Sequence, residues 1–135
     1  MTTLAPQELK HFHQRFENFS KAFQQLEKAV SIETLSEIER SGLIKIFEFS
    51  FELAWKCLKD YLKTSGLEKR LPREVIKESF QAELIQDGHI WIEALEKRNL
   101  LSHCYDESLA LEAEELIKKQ FYPILQNFYE KFSKK

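Results

Sequence analysis

The chain has 135 residues, one domain's worth, with 20 Lys plus Arg against 22 Asp plus Glu and a net charge of −2. That balance excludes a nucleic-acid binder driven by bulk charge and leaves room only for a local basic patch. At 43% hydrophobic and 31% charged it is neither disordered nor fibrous, and three Gly with three Pro are too few to turn an all-β chain.

The first predicted helix runs from about Pro6 to about Val30. Leu9, Phe12, Phe16, Phe19, Phe23, Leu26 and Val30 follow spacings of 3, 4, 3, 4, 3, 4, a heptad seam over six turns. Eleven Phe in the chain point to an aromatic core. The second helix opens at Ser36, where Ser36 and Glu39 have capping-box spacing, and should end at Gly66, which tolerates the left-handed C′ conformation. One face carries Ile46, Phe47, Leu53, Ala54, Cys57, Leu58 and Tyr61, another Ile44, Phe51, Trp55 and Leu62. Its charges form a stripe of Lys45, Glu48, Glu52, Lys56, Lys59 and Lys63. A helix this apolar is either central or buries a second face in a partner. The latter is expected, because a small bundle has little room to enclose a helix.

A short third helix follows Pro72, with Val75, Ile76, Phe80 and Leu84 inward. Asp87-Gly88 is a turn, and the fourth helix carries Ile90, Ile92, Leu95 and Leu100 as its apolar positions. The fifth begins near Asp106 or Ser108, both acceptable N-caps, and continues to about Phe132, with Pro123 predicting a kink or break. The expected fold is therefore all-α, an up-and-down bundle of about five helices forming one domain over 1–135.

Cys57 and Cys104 form neither a C-x-x-C nor a His/Cys cluster, so no metal site, cofactor or disulfide framework is expected. His11 and His13, two apart on a helix, point to different sides. No apolar leader or run of 18 apolar residues occurs, so a cytoplasmic protein with reduced thiols and no membrane contact is expected. The glycine-dependent nucleotide and hydrolase motifs are absent. There is no Gly-Ser followed by Asp-x-Asp, and Asp stands only at 60, 87 and 106. The chain is not expected to transfer nucleotides itself.

The informative stretch is Lys97-Arg98-Asn99-Leu100-Leu101-Ser102-His103-Cys104-Tyr105-Asp106. It resembles the HEPN superfamily, whose motif is an arginine, four to six residues, then a histidine; Arg98 and His103 enclose four. Polar Asn99 follows the arginine, and Tyr105 extends the motif to R-x₄-H-x-Y. The Phe-rich first helix and the F-E-x-x-W-K-x-L-K-x-Y-L pattern from Phe51 to Leu62 are similar to one branch. That branch is the nucleotidyltransferase substrate-binding proteins, which pair with a separate minimal nucleotidyltransferase chain.

The resemblance implies a HEPN-like bundle that forms a homodimer with the two Arg/His pairs facing one cleft. It implies a toxin-like, metal-independent ribonuclease acting on RNA, with Arg98 and His103 catalytic. It also implies that the partner attaches AMP to Tyr105 and so silences the site. The alternative is a non-catalytic subunit that presents substrate to the nucleotidyltransferase. Asn99 and Ser102 are candidate substrate-positioning residues, and Ser102 also suits a local backbone bond at a helix end.

Five residues along an ideal helix turn through about 140°, so the chain must leave the helix near Ser102 for Arg98 and His103 to converge. A neutral histidine suits general-base removal of a 2′-OH proton, and an arginine suits the charge that grows on phosphoryl oxygens. Lys69, Arg70, Arg73 and Lys77, with Lys118 and Lys119, are candidate RNA contacts.

Overall fold

The structure, a computed structural model, describes residues 6–102 and 105–135. Every described element is helical. In chain order they are α1 (Pro6–Val30), α2 (Glu37–Thr64), α3 (Pro72–Gln81), α4 (Gly88–Glu96), the single turn α5 (Arg98–Leu101) and α6 (Glu107–Leu116). A π-helical segment, Ile117–Phe121, then runs directly into α7 (Tyr122–Phe132). None of these helices is long and apolar enough to cross a membrane.

The long α1–α2 pair is the frame. The seam of α1 faces inward as its spacing predicts: Phe12, Phe19, Phe23 and Leu26 are buried. Its rings meet those of α7. Phe19 lies 5.0 Å from Phe128 edge-on, Phe23 lies 4.8 Å from Tyr129, and Phe23 stacks on Tyr122 with planes 2° apart. Such pairs add stability beyond the area they bury. α2 starts on the predicted capping box: the Glu39 N–H donates to Ser36 Oγ at 3.1 Å and the Ser36 N–H to Glu39 Oε1 at 2.8 Å. It ends as a Schellman motif, with Gly66 at φ +85° and the Leu67 and Gly66 N–H groups donating to the carbonyls of Leu62 and Lys63.

The expected partner for the second face of α2 is corrected. Ile44, Phe51, Trp55 and Leu62 are all buried within the chain. The short helices and the continuous α6–α7 rod pack against α2; on that face Phe51 packs on Trp91 of α4, and beside it Phe47 packs on Phe121. Three further expectations change. Phe80 points outward and is 52% exposed, with Ser79 and Ile85 buried instead. Its ring lies over Gly88, where a Cβ would come within 3.0 Å of it. In α4 the buried side chains are Trp91 and Ala94, while Ile90, Ile92 and Leu95 are only half-buried. Helices of about ten residues have too few turns for spacing to decide which stripe faces in. Finally, Pro123 breaks nothing. The preceding turn widens to π geometry, with the Tyr122 N–H reaching the Ile117 carbonyl, and Pro123 enters α7 in its first turn, where its missing N–H is tolerated.

A clamp ties the α1–α2 connection to α6. Arg40 Nε meets Glu114 Oε1 at 2.6 Å and Arg40 Nη2 donates to the Leu35 carbonyl at 3.1 Å. Lys118 meets Glu114 Oε2 at 3.1 Å and donates to the Ile32 carbonyl at 2.8 Å. Burial pushes the Glu114 carboxyl up, but hydrogen bonds and charge from Arg40 and Lys118 outweigh it and hold the group below the ordinary carboxylate range.

Candidate functional site

Arg98 opens α5, just past the C-cap of α4 at Lys97. The helix ends at Leu101, and Ser102 is an exposed turn residue whose N–H donates to the Arg98 carbonyl at 3.1 Å. The helix thus ends next to Ser102, and Arg98 starts a turn of its own rather than ending α4. Asn99 lies within α5. His103, like Cys104, lies outside the described residues. Asp106 caps α6, its carboxylate accepting from the Leu109 N–H at 3.2 Å. Tyr105, directly before that cap, is 81% exposed.

The seat of Arg98 was not anticipated. Its guanidinium Nη1 lies 3.5 Å from Glu52 Oε2, the same oxygen that accepts from the indole Nε1 of Trp55 at 3.1 Å. Lys56 Nζ lies 3.5 Å from the other oxygen, Glu52 Oε1. Positions 52, 55 and 56 are i, i+3 and i+4, so one face of α2 presents all three. The signal was in the F-E-x-x-W-K segment, where it reads as a family pattern and part of a charge stripe. With the arginine side chain 50% exposed, this contact adds little to stability; it restricts where the guanidinium points.

Beside Arg98 lies a groove of about 770 Å³. Its walls are Ile46, Phe47 and Phe51 of α2 and Leu101 of α5. Gln25, Gly42, Lys45, Glu48, Phe49, Glu52 and Arg98 also line it.

The other predicted basic residues divide. Lys118 belongs to the Glu114 clamp, Lys119 pairs with Glu115 at 2.8 Å and Arg73 pairs with Glu96 at 2.7 Å. Lys69 and Arg70 share a small groove of about 240 Å³ with Lys59 and Lys63 of α2. Lys77 lies by Phe80 and His89. Cys57 is buried, and burial, aided by the charge of Asp60 and opposed by Arg15, pushes its thiol well up, which leaves it unreactive. Among the described residues no three His, Cys, Asp or Glu side chains are grouped to hold a metal ion.

The family model described as "Nucleotidyltransferase substrate binding protein like" matches residues 14–134. The chain is 30% identical over 76 residues to a probable ribonuclease HepT of Haemophilus influenzae. That alignment covers 53% of this chain and 52% of the relative, so the chain spans about half the length of the curated protein it matches. The fold is similar to a crystal structure of a protein from Thermus thermophilus, with a TM-score of 0.73 and 28% identity over 86% of this chain and 96% of that one.

Proposed function

The chain belongs to the nucleotidyltransferase substrate binding protein like family, and from that premise we propose that it is the HEPN-type, toxin-like ribonuclease of a two-chain system. Its partner is a minimal nucleotidyltransferase that silences it by nucleotidylating Tyr105. The observation that carries this reading is the seat of Arg98: a guanidinium held by Glu52, half-exposed at the edge of a groove.

In the reaction, His103 takes the proton of an RNA 2′-OH. The 2′-oxygen attacks the adjacent phosphorus, the P–O5′ bond breaks, and the 5′-oxygen leaves with a proton returned from the histidine. A 2′,3′-cyclic phosphate and a 5′-OH remain. Arg98 faces the charge that grows on the phosphoryl oxygens, using donors that Glu52 leaves free. A homodimer would bring two such sites to one cleft. Silencing joins the Tyr105 oxygen to the α-phosphorus of a nucleoside triphosphate, breaks the α–β bond and releases pyrophosphate and the phenol proton. Tyr105 is exposed enough to be reached, and the added phosphate would repel an RNA phosphate at Arg98.

The test is cleavage of total RNA by the purified chain in EDTA, beside Arg98→Ala and His103→Ala. Loss of one such stabilising donor costs about 10²–10³ in rate, so cleavage should fall below detection in both variants with unchanged melting. Mass spectrometry after co-expression with the partner should find the nucleotide on Tyr105 and nowhere else. No cleavage by the unmodified chain would leave it as a substrate-presenting subunit of the nucleotidyltransferase.

A further inference from the structure

The side of α2 that faces the groove carries Gly42, Lys45, Phe49 and Glu52 at i, i+3, i+7 and i+10, one stripe of a helix. Three of these residues are unexplained by the fold. Nine of the eleven phenylalanines pair with another ring; among the described residues Phe49 and Phe80 do not. Phe80 rests on the Gly88 backbone and borders a groove of only about 250 Å³. Phe49 is 57% exposed above the larger one. Gly42 lies inside α2, where glycine is a poor helix former, yet a Cβ there would meet nothing within 4 Å. Among the described residues no contact requires a glycine at that place. Lys45 is exposed and makes no ion pair among the described residues.

An exposed ring, a bare stretch of helix backbone and two cations at the edge of a groove match the needs of a single unpaired nucleotide. Such nucleotides bind by stacking on an aromatic face while basic side chains hold the flanking phosphates. The groove volume lies in the range of small-molecule sites. We propose that this groove is a subsite for one unpaired nucleotide of RNA next to Arg98. Phe49 stacks on the base, Gly42 lets the base approach α2, and Lys45 and Arg98 take the phosphates on either side. Gln25 and Glu48 stand where they can meet the base edge. The RNA substrate class rests on the ribonuclease reading; the placement of the base rests on the groove.

The test uses the full chain carrying His103→Ala, titrated with a labelled single-stranded RNA octamer and followed by anisotropy. Phe49→Ala should weaken binding about tenfold or more. Phe49→Trp should keep the affinity and show quenched fluorescence. Gly42→Leu, whose Cβ meets nothing within 4 Å among the described residues, should block the groove with melting unchanged or raised. Lys45→Ala should lower the slope of log K against log salt by about one.

Parent-like affinity in both Phe49→Ala and Gly42→Leu would overturn the subsite, as would a parent chain that binds no RNA. So would Phe49→Ala splitting a dimer on sedimentation while affinity per chain stayed the same, since the surface would then belong to a second copy. The two readings fail separately. A parent of the unsubstituted sequence that never cleaves, but whose RNA binding depends on Phe49, sinks the ribonuclease and keeps the subsite. Cleavage by Phe49→Ala with unchanged KM sinks the subsite and keeps the ribonuclease.

Discussion

Phe128 of α7 touches the rings of Phe16, Phe19, Trp91 and Phe132 and is 1% exposed. Phe49 of α2 meets no ring among the described residues and is 57% exposed. Residue type and backbone are the same in the two places. In the seam between α1 and α7 each ring is covered by other rings of the chain. At the groove a ring stays in water, uncovered by any of the described residues, and only something beyond them can cover it. The seam holds the bundle together, and the groove leaves stabilisation unused. Composition alone, with its eleven Phe, does not separate the two uses.

The sharpest way to break this comparison is Phe128→Ala, which should cost about 4 kcal/mol in urea unfolding. A loss below about 1 kcal/mol would mean the seam is not the stabilising element. Next in size is the Arg40–Glu114 clamp. Glu114→Gln should cost about 2 kcal/mol near neutral pH, since it leaves two partly buried cations less well partnered. The sign follows from the lowered carboxyl: its contribution is complete above the unfolded pKa and disappears as pH falls through the lower folded one. Parent and variant melting curves should therefore converge in acid. A gap as wide at pH 2 as at pH 7 would remove charge from the explanation.

Smaller still is Gly42→Ala, expected to stabilise by about 1 kcal/mol through helix propensity alone, while it weakens RNA binding at the groove. Destabilisation would reveal a contact there that the chain itself needs. The smallest effect is Phe49→Ala, within about 0.5 kcal/mol of the parent; a loss like that of Phe128 would erase the distinction between the two regions.

Long-period signals were legible in the sequence. The seam of α1 repeats for six turns, and the ends of α2 are set by side chains whose capping chemistry is local: Ser36 and Glu39 at one end, Gly66 at the other. The short helices were not legible in the same way. Phe80 and Trp91 each had a choice of faces, and tertiary packing decided it, turning one out and the other in. The candidate site is legible only where its residues lie near one another in sequence. Arg98 and Tyr105 are named by a spacing of residues near in sequence. Glu52 reaches Arg98 across 46 residues, and no local pattern encodes that meeting. The idea that α2 buries a face in a partner failed because the α6–α7 rod is long enough to cover it.

That rod has one further consequence. An α-helix advances its side chains by about 100° per residue, so each residue inserted or removed acts as a frameshift for everything after it. The widened turn at Ile117–Phe121 sets the angular phase in which Ile124, Leu125, Phe128 and Phe132 arrive at the core. A π turn takes one residue more than an α turn, so deleting exposed Lys119 with regular helix restored would keep those four side chains in phase, whereas deleting one residue from the regular helix of α6 would rotate them together by about 100°. The same deletion in the first turn of α1 would shift only the end of the chain. Within the rod, a one-residue deletion is therefore best absorbed at the segment that, by composition, looks like an ordinary lysine-bearing helix surface.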